Sequence, residues 1–311
     1  MVSKAVSPEA TSGAGTLFEY RVAALALSRL LRGAHVPVGI DLPVESVALQ
    51  QRIAGSLLDD IVMRVSSPHH TTTIEFQVKK KLGVTGSSQA LISVLGQAVE
   101  TWRTREHSLR SGRLLLGVAA GGPEDELGEL ASLADKAHDG STLDSFRYLL
   151  TEGVTGRRLR TRYDHIVTAL TAATGVTDRT EAENLAHQVL SRLHVWQVDP
   201  SEDGRDWRRE LDDLQPLAQR SGQTADVLLE RLKSLSEAVG PHAGDLDADS
   251  VRARFRRKYA VDLTTSDSPT APLTGGIYVN GNGPTFVGHS QFFNGLTINA
   301  QVPPVAAGER A

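Results

Sequence analysis

Cysteine is absent from all 311 residues, which excludes disulfides and thiolate metal centres and suits a reducing cytoplasm. Long apolar runs are absent as well. None approaches the ~20 residues needed to span a bilayer, and Met1 to Gly15 is polar and rich in small residues where a signal peptide would carry an apolar centre. The expectation is a cytoplasmic protein with no membrane segment. A strong charge excess is also missing. The formal net charge of -4 excludes a chain that is basic throughout, as proteins that coat nucleic acid are.

What is present is the composition of an ordinary soluble protein, 40% hydrophobic and 23% charged. The chain is long enough to bury a real core and to hold more than one module. Positive charge gathers locally at Lys79, Lys80 and Lys81; at Arg103, Arg105, Arg110 and Arg113; at Arg157, Arg158, Arg160 and Arg162; and at Arg252, Arg254, Arg256, Arg257 and Lys258. Runs of this kind lie on solvated helix faces or grip phosphates, and the sequence permits both.

Periodicity orders the first 122 residues. In "TLFEYRVAALALSRLL", Leu17, Phe18, Val22, Leu25 and Leu31 fall near helical spacing, and Gly33 offers a stop. "HVPVGIDLPVESVALQ" reads as an irregular strand; "LLDDIVMRV" and "TTTIEFQVKK" alternate around "SSPHH" and make a hairpin. Ser87 or Ser88 caps a helix over "QALISVLGQAVETWRTRE", and "RLLLGVAA" is a fully apolar strand for the middle of a sheet. The predicted order is helix, three strands, helix, strand. From about Glu124 to Leu263 the pattern is a succession of amphipathic helices, predicting an all-α domain over 123–263. Residues 264–311 read as a Ser/Thr/Pro linker followed by an Asn/Gly-rich, β-prone tail.

Within "IEFQVKKK", Glu75, Gln77 and Lys79 share one strand face, while Ile74, Phe76 and Val78 share the other. An edge strand with a solvated face has this pattern. A strand presenting catalytic groups has it too. Hydrolysis of a phosphodiester needs a divalent ion on oxygen ligands and a polarised water beside it. An acid near the start of one strand, a carboxylate or amide oxygen on the next and a lysine two residues further along supply these, and Asp60, Gln77 and Lys79 meet that description. Asp60 has the better phase if its face continues through Val62 and Arg64; Asp59 is the alternative, and Glu75 is an alternative acid on the Gln77 face.

The stretch "DDIVMRV…TTIEFQVKK" resembles the active-site hairpin of the PD-(D/E)XK nucleases, in the variant with glutamine at the central acidic position, D…QxK. The Gln-x-Lys form is similar to that of Mrr-like restriction nucleases and of endonuclease effectors in bacterial anti-phage systems of the CBASS type. Gly15, Phe18 and Glu19 match the Gly-x-x-Phe-Glu start of the first helix in Mrr-like domains. The resemblance implies a restriction-endonuclease-like αβββαβ core over 1–122. It implies Mg2+, replaceable by Mn2+, held by Asp60, the Gln77 side-chain oxygen and the Val78 carbonyl, with Lys79 orienting water and stabilising developing charge. Glu19 and Glu45 become supporting residues, and double-stranded DNA the substrate. An amide in place of a carboxylate implies weaker metal binding and one ion rather than two.

His69 and His70 are loop histidines, since neighbours in a turn diverge and no third ligand has suitable spacing. Trp102, Trp196 and Trp207 are assigned to helices and to packing. In the helical region no Gly-rich phosphate loop marks a nucleotide pocket. The tail over 275–300 resembles short amyloid-signalling motifs through which bacterial immune effectors engage a partner protein and assemble, and a docked hairpin is the alternative. The expectations are therefore a DNA endonuclease that forms a homo-oligomer, or a catalytically inactive adaptor of the same fold that binds DNA or recruits a partner through its tail.

Overall fold

Alternating apolar residues in the strands and apolar stripes on the helices build a six-stranded mixed sheet covered on both faces. This is seen in a computed structural model that describes residues 8–51, 58, 60–67, 71–263, 291–293 and 296–298. Helix α1 (Pro8–Arg32) ends at Gly33, whose φ of 62° provides the left-handed stop. Strands β1 (Val44–Leu49), β2 (Ile61–Ser66) and β3 (Thr71–Lys79) follow. Helix α2 (Gln89–Arg110) comes next, its N-terminus capped by the Ser88 side chain accepting from Leu91 N, and then β4 (Leu114–Ala120). The predicted order of the first six elements is the observed one.

The second half supplies α3 (Glu124–Asp139), α4 (Leu143–Leu149), α5 (Arg157–Thr174), α6 (Arg179–Leu190), α7 (Arg205–Arg220), α8 (Ala225–Val239) and α9 (Ala248–Tyr259). It also supplies two strands, β5 (Leu193–Gln197) and β6 (Asp245–Asp247). The all-helical expectation for 123–263 is corrected there. Strand β5 pairs in parallel with β4, and β6 pairs antiparallel with β1, so both free edges of the four-stranded core are extended from the second half. Trp196, expected on a helix, lies in β5 and packs edge-on against Phe76 with ring centroids 6.0 Å apart.

The sheet order is β5-β4-β3-β2-β1-β6. Strand β2 runs antiparallel to β1 and β3, while β3, β4 and β5 are mutually parallel. On one face Ile61, Met63, Ile74, Phe76 and Val78 join α1, α7, α8 and α9 in a core. On the other, Leu114, Leu116, Val118 and Ala120 join α2, α3, α5 and α6. Each fully buried Leu, Ile or Phe in these layers contributes roughly 1.5–3 kcal/mol. The contacts of the chain group into Met1–Leu263 and Thr264–Ala311. In the second group β7 (Gln291–Phe293) pairs antiparallel with β8 (Leu296–Ile298); the remainder of the 275–300 tail, like His69 and His70, lies outside the described residues.

Candidate functional site

Register decides what the hairpin brings together. Ile61 pairs with Phe76, so Asp60, the residue before β2, stands opposite Gln77 at the carboxyl end of β3. Asp60 Oδ2 accepts hydrogen bonds from Gln77 Nε2 and, at 2.7 Å, from Val78 N. Asp59, the alternative, lies outside the described residues. Gln77 is 5% exposed, and its Oε1 is buried with no hydrogen-bond partner among the described residues. A buried carboxamide oxygen without a donor loses water without replacement, which costs on the order of 1–3 kcal/mol. A hard cation is one group that would satisfy it. A carboxylate only accepts, so the N–H end of the carboxamide faces Asp60 and Oε1 is the end turned away.

Lys79, the last residue of β3, shares the Gln77 face, and no ion pair among the described residues reaches its ammonium. Its carbonyl accepts from Gly121 N at 3.1 Å, which fixes the strand end against β4. Asp60, Gln77, Val78 and Lys79 thus meet at one corner of the sheet. Among the described residues no group of three or more His, Asp or Glu could hold a metal ion. A cation at this corner would therefore depend on amide and backbone oxygens beside Asp60.

Of the two supporting carboxylates, Glu45 is placed elsewhere. Glu45 sits at a bulge in β1 and accepts from Ser66 Oγ at 2.6 Å, at the opposite end of β2 from Asp60. Six residues of strand separate Asp60 from Ser66, roughly 20 Å. Glu19 is on α1, which packs on the Ile74/Phe76/Val78 face, whereas Gln77 and Lys79 point to the α2 face. Glu75 does share the Gln77 face. It is 1% exposed and its Oε1 accepts from Arg105 Nη1 at 2.5 Å. Arg105 leaves helical geometry inside α2, with φ -132° and ψ 29°, at the point from which it reaches Glu75.

Most of the Arg157–Arg162 cluster is spent within the fold. Arg158 pairs with Asp125 and Glu129, Arg162 with Glu126 and Glu129, and Arg160 with Glu152. Arg162 also donates to the Val84 carbonyl, and Val84 N donates to Glu126 at 2.6 Å, so the loop after β3 is tied to α3 and α5. On α9, Arg252 pairs with Asp249, and Arg256 lies 4.0 Å from Asp262. The three tryptophans are all buried, consistent with packing.

One feature escaped the sequence. A cleft of about 680 Å³ opens where β3, β4 and β5 end, between the first half of α1 and the start of α7. Leu17, Phe18, Arg21, Lys80, Gln197 and Arg205 are among the residues lining it. Its floor includes Gly121, where an added Cβ would sit 2.7 Å from the Lys80 carbonyl. The signal for it was topological: carboxyl ends of neighbouring parallel strands are where open α/β sheets leave a crevice. Without β5 in the reading, the crevice had no second wall.

No family model matches the chain, and no curated protein matches it. Among solved structures, the SAVED/CARF-domain-containing receptor Cap4 of Moraxella osloensis aligns with 79% of this chain at 10% identity and a TM-score of 0.39. The chain spans 48% of that structure's length.

Proposed function

We propose that the protein is a metal-dependent endonuclease that hydrolyses phosphodiester bonds of double-stranded DNA, as an effector in prokaryotic anti-phage defence. The observation that carries the proposal is the strand-end corner: Asp60 hydrogen-bonded to Gln77 and Val78, a buried Gln77 Oε1 without a partner among the described residues, and Lys79 on the same face. Asp60, Gln77 Oε1 and the Val78 carbonyl are the groups that would hold Mg2+ or Mn2+. The ion, when bound, supplies Lewis acidity toward the phosphoryl group and its attacking water. Lys79 donates to an oxygen on which charge develops, since no ion pair among the described residues occupies its ammonium. Val78 N holds the Asp60 carboxylate in place. The defence role rests on the resemblance of the Gln-x-Lys hairpin to those of anti-phage effectors. Assembly into a homo-oligomer and engagement of a partner protein through the 275–300 tail belong to the same proposal.

The test is cleavage of supercoiled plasmid with Mg2+ or Mn2+ by wild type, Asp60→Ala and Lys79→Ala, with folding of each checked by circular dichroism. Cutting by wild type that both substitutions abolish is the expected result. Cutting that survives both would remove the corner from the mechanism.

A second reading, a nuclease-fold adaptor without turnover, is favoured by the shortage of acid at the corner. Glu75 is engaged by Arg105 and Glu45 by Ser66 at the far end of β2, while Asp60 is the carboxylate hydrogen-bonded to Gln77. Under this reading wild type and Lys79→Ala bind DNA alike and neither cuts it.

A further inference from the structure

We infer that the cleft at the ends of β3, β4 and β5 is a binding site for a phosphorylated nucleoside, taken either as a free nucleotide or as the phosphorylated end of a single strand. The inference is independent of the metal corner. Lys79 and Lys80 are neighbours on a strand end, so their side chains diverge, Lys79 toward the corner and Lys80 into the cleft.

The lining carries three cations, Arg21, Lys80 and Arg205, against two carboxylates, Glu124 and Asp199. Glu124 pairs with Arg205, which also lies 3.8 Å from Asp206, while Asp199 keeps its charge beside neutral serine donors. Asp199 Oδ1 accepts from Ser201 Oγ at 2.7 Å and from Ser201 N at 3.3 Å, and Glu124 lies 3.3 Å from Arg205. Arg21 pairs with Glu202, which is 71% exposed and can yield to a better acceptor, and its guanidinium lies 5.7 Å from the Trp207 ring centre. Lys80 is exposed and meets no acid among the described residues. A dianionic phosphate would give it one. Helices α3 and α7 both begin at the rim, behind Pro123 and Gly204, and neither is capped by a side chain. Their dipoles add positive potential, offset in part by Glu124, Asp125 and Glu126 in the first turn of α3 and by Asp206 in that of α7.

The other side of the cleft is apolar. Leu17 is 41% exposed, which is unusual for a leucine on a helix that packs against a core, and Phe18 lies beside it with its ring edge near Gly121. A planar base set against Leu17 and Phe18 would remove that surface from water. The Gln197 amide also lines the cleft and can pair with exocyclic groups, and the Ser201 hydroxyl, which donates to Asp199, can still accept. A volume of about 680 Å³ falls in the range of small-molecule sites and leaves room for a nucleotide with ordered water.

The test is isothermal titration of the full chain in EDTA with three probes: AMP, a 5′-phosphorylated hexathymidylate and inorganic phosphate. The proteins are wild type, Lys80→Ala, Phe18→Leu and Asp60→Ala. Lys80 is exposed and meets no acid among the described residues, so its truncation leaves the fold intact, as a melting curve will verify. AMP or the oligonucleotide is expected to bind with a Kd near or below about 100 µM. Lys80→Ala should weaken binding roughly tenfold, the loss of one charge-assisted hydrogen bond. Phe18→Leu should weaken it less, and Asp60→Ala should leave it unchanged. Tighter AMP binding assigns the site to free nucleotides, and tighter oligonucleotide binding assigns it to strand ends. Binding no tighter than about 1 mM for both, indifference to Lys80→Ala, or inorganic phosphate binding as tightly as AMP would each overturn the inference. Since EDTA and Asp60→Ala remove the metal corner, failure here and failure of the nuclease proposal are separate results.

Discussion

Arg105→Ala is expected to destabilise the folded unit by about 2–3 kcal/mol, because it removes the cation from a carboxylate that has little water to turn to. Glu75 is 1% exposed, lies in the middle of β3 and meets Arg105 Nη1 at 2.5 Å. Deleting one partner of a buried ion pair costs about 3–5 kcal/mol, since the remaining charge keeps its desolvation cost. The Arg105 side chain is 34% exposed, so solvent screens part of the interaction and the lower figure applies. The helix itself loses little, as Arg105 already stands outside helical geometry. For a unit of this size each kcal/mol moves Tm by roughly 2–3 °C, so the melting temperature should fall by about 4–9 °C. Urea unfolding followed by circular dichroism reads the change directly. Adding Glu75→Gln to Arg105→Ala removes the stranded charge and should restore more than half of the loss. Arg110→Ala, which breaks an exposed pair with Glu106, should cost less than about 0.5 kcal/mol. A loss from Arg105→Ala as small as that from Arg110→Ala, or a double variant no more stable than the single one, would refute the argument.

Three further outcomes follow from particular contacts. Burial, the charge of neighbouring His138 and Arg192 lower the His194 pKa from 6.5 to about 4, against a raising hydrogen bond to the Val38 backbone. The unfolded chain therefore binds the proton first, and the stability present above pH 6.5 is lost as the pH falls toward 4. This amounts to about 3 kcal/mol at most, less for the ring's partial exposure, and His194→Gln should flatten the urea midpoint between pH 6.5 and 4.5. Gly117→Ala would drive a methyl group into the Phe76 ring and should cost about 1–3 kcal/mol in the same assay, with Phe76→Leu relieving part of it; an unchanged midpoint would show that β4 can shift. Gln77→Glu sets a second carboxylate against Asp60, which should lower Tm in EDTA by repulsion and enlarge the rise in Tm on adding Mn2+; equal rises in wild type and variant would argue against a cation between these residues.

What was legible in the sequence was whatever local periodicity specifies. The alternation through "IEFQVKK" told which side chains share a face, and the phase of "DDIVMRV" favoured Asp60, which accepts a hydrogen bond from Gln77, while Asp59 lies outside the described residues. Ser88 was one of two residues proposed as the cap of α2 and is the one that caps it. Failures came where pairing decides structure. "LHVWQ" carries apolar residues that continue the stripe of α6, and it becomes a strand because β4 offers it a parallel edge. Asp245–Asp247 is only three residues long and exists as a strand because β1 has an edge to cover. Glu45 was expected at the site from the nuclease resemblance, but antiparallel pairing carries the start of β1 to the far end of β2. The Glu75–Arg105 pair joins residues 30 apart through a kink in α2, and no spacing rule reaches it. The arginines of α5 looked available for phosphates because their partners on α3 are about 30 positions away.

Charge at the corner bears on how it could act. Glu75 and Arg105 cancel, Asp60 brings one negative charge, and Lys79 brings one positive charge, so the polar face of β3 is close to neutral as it stands. A corner built on two carboxylates would attract a cation strongly and repel a phosphodiester until the cation arrived. Gln77 removes that repulsion and gives up part of the attraction. A divalent ion at Asp60 and Gln77 would then make the corner net positive, which favours a phosphodiester, and the phosphate oxygens would complete the coordination that the protein leaves short. Metal and substrate would therefore depend on each other for affinity, as coupled binding requires. In this sense the glutamine is compatible with the proposed turnover: it would move part of a metal's ligand set from the protein to the nucleic acid. The adaptor reading uses the same charges differently, with Lys79 as a phosphate contact and the Asp60–Gln77–Val78 hydrogen bonds as the clasp that keeps the end of β3 in place.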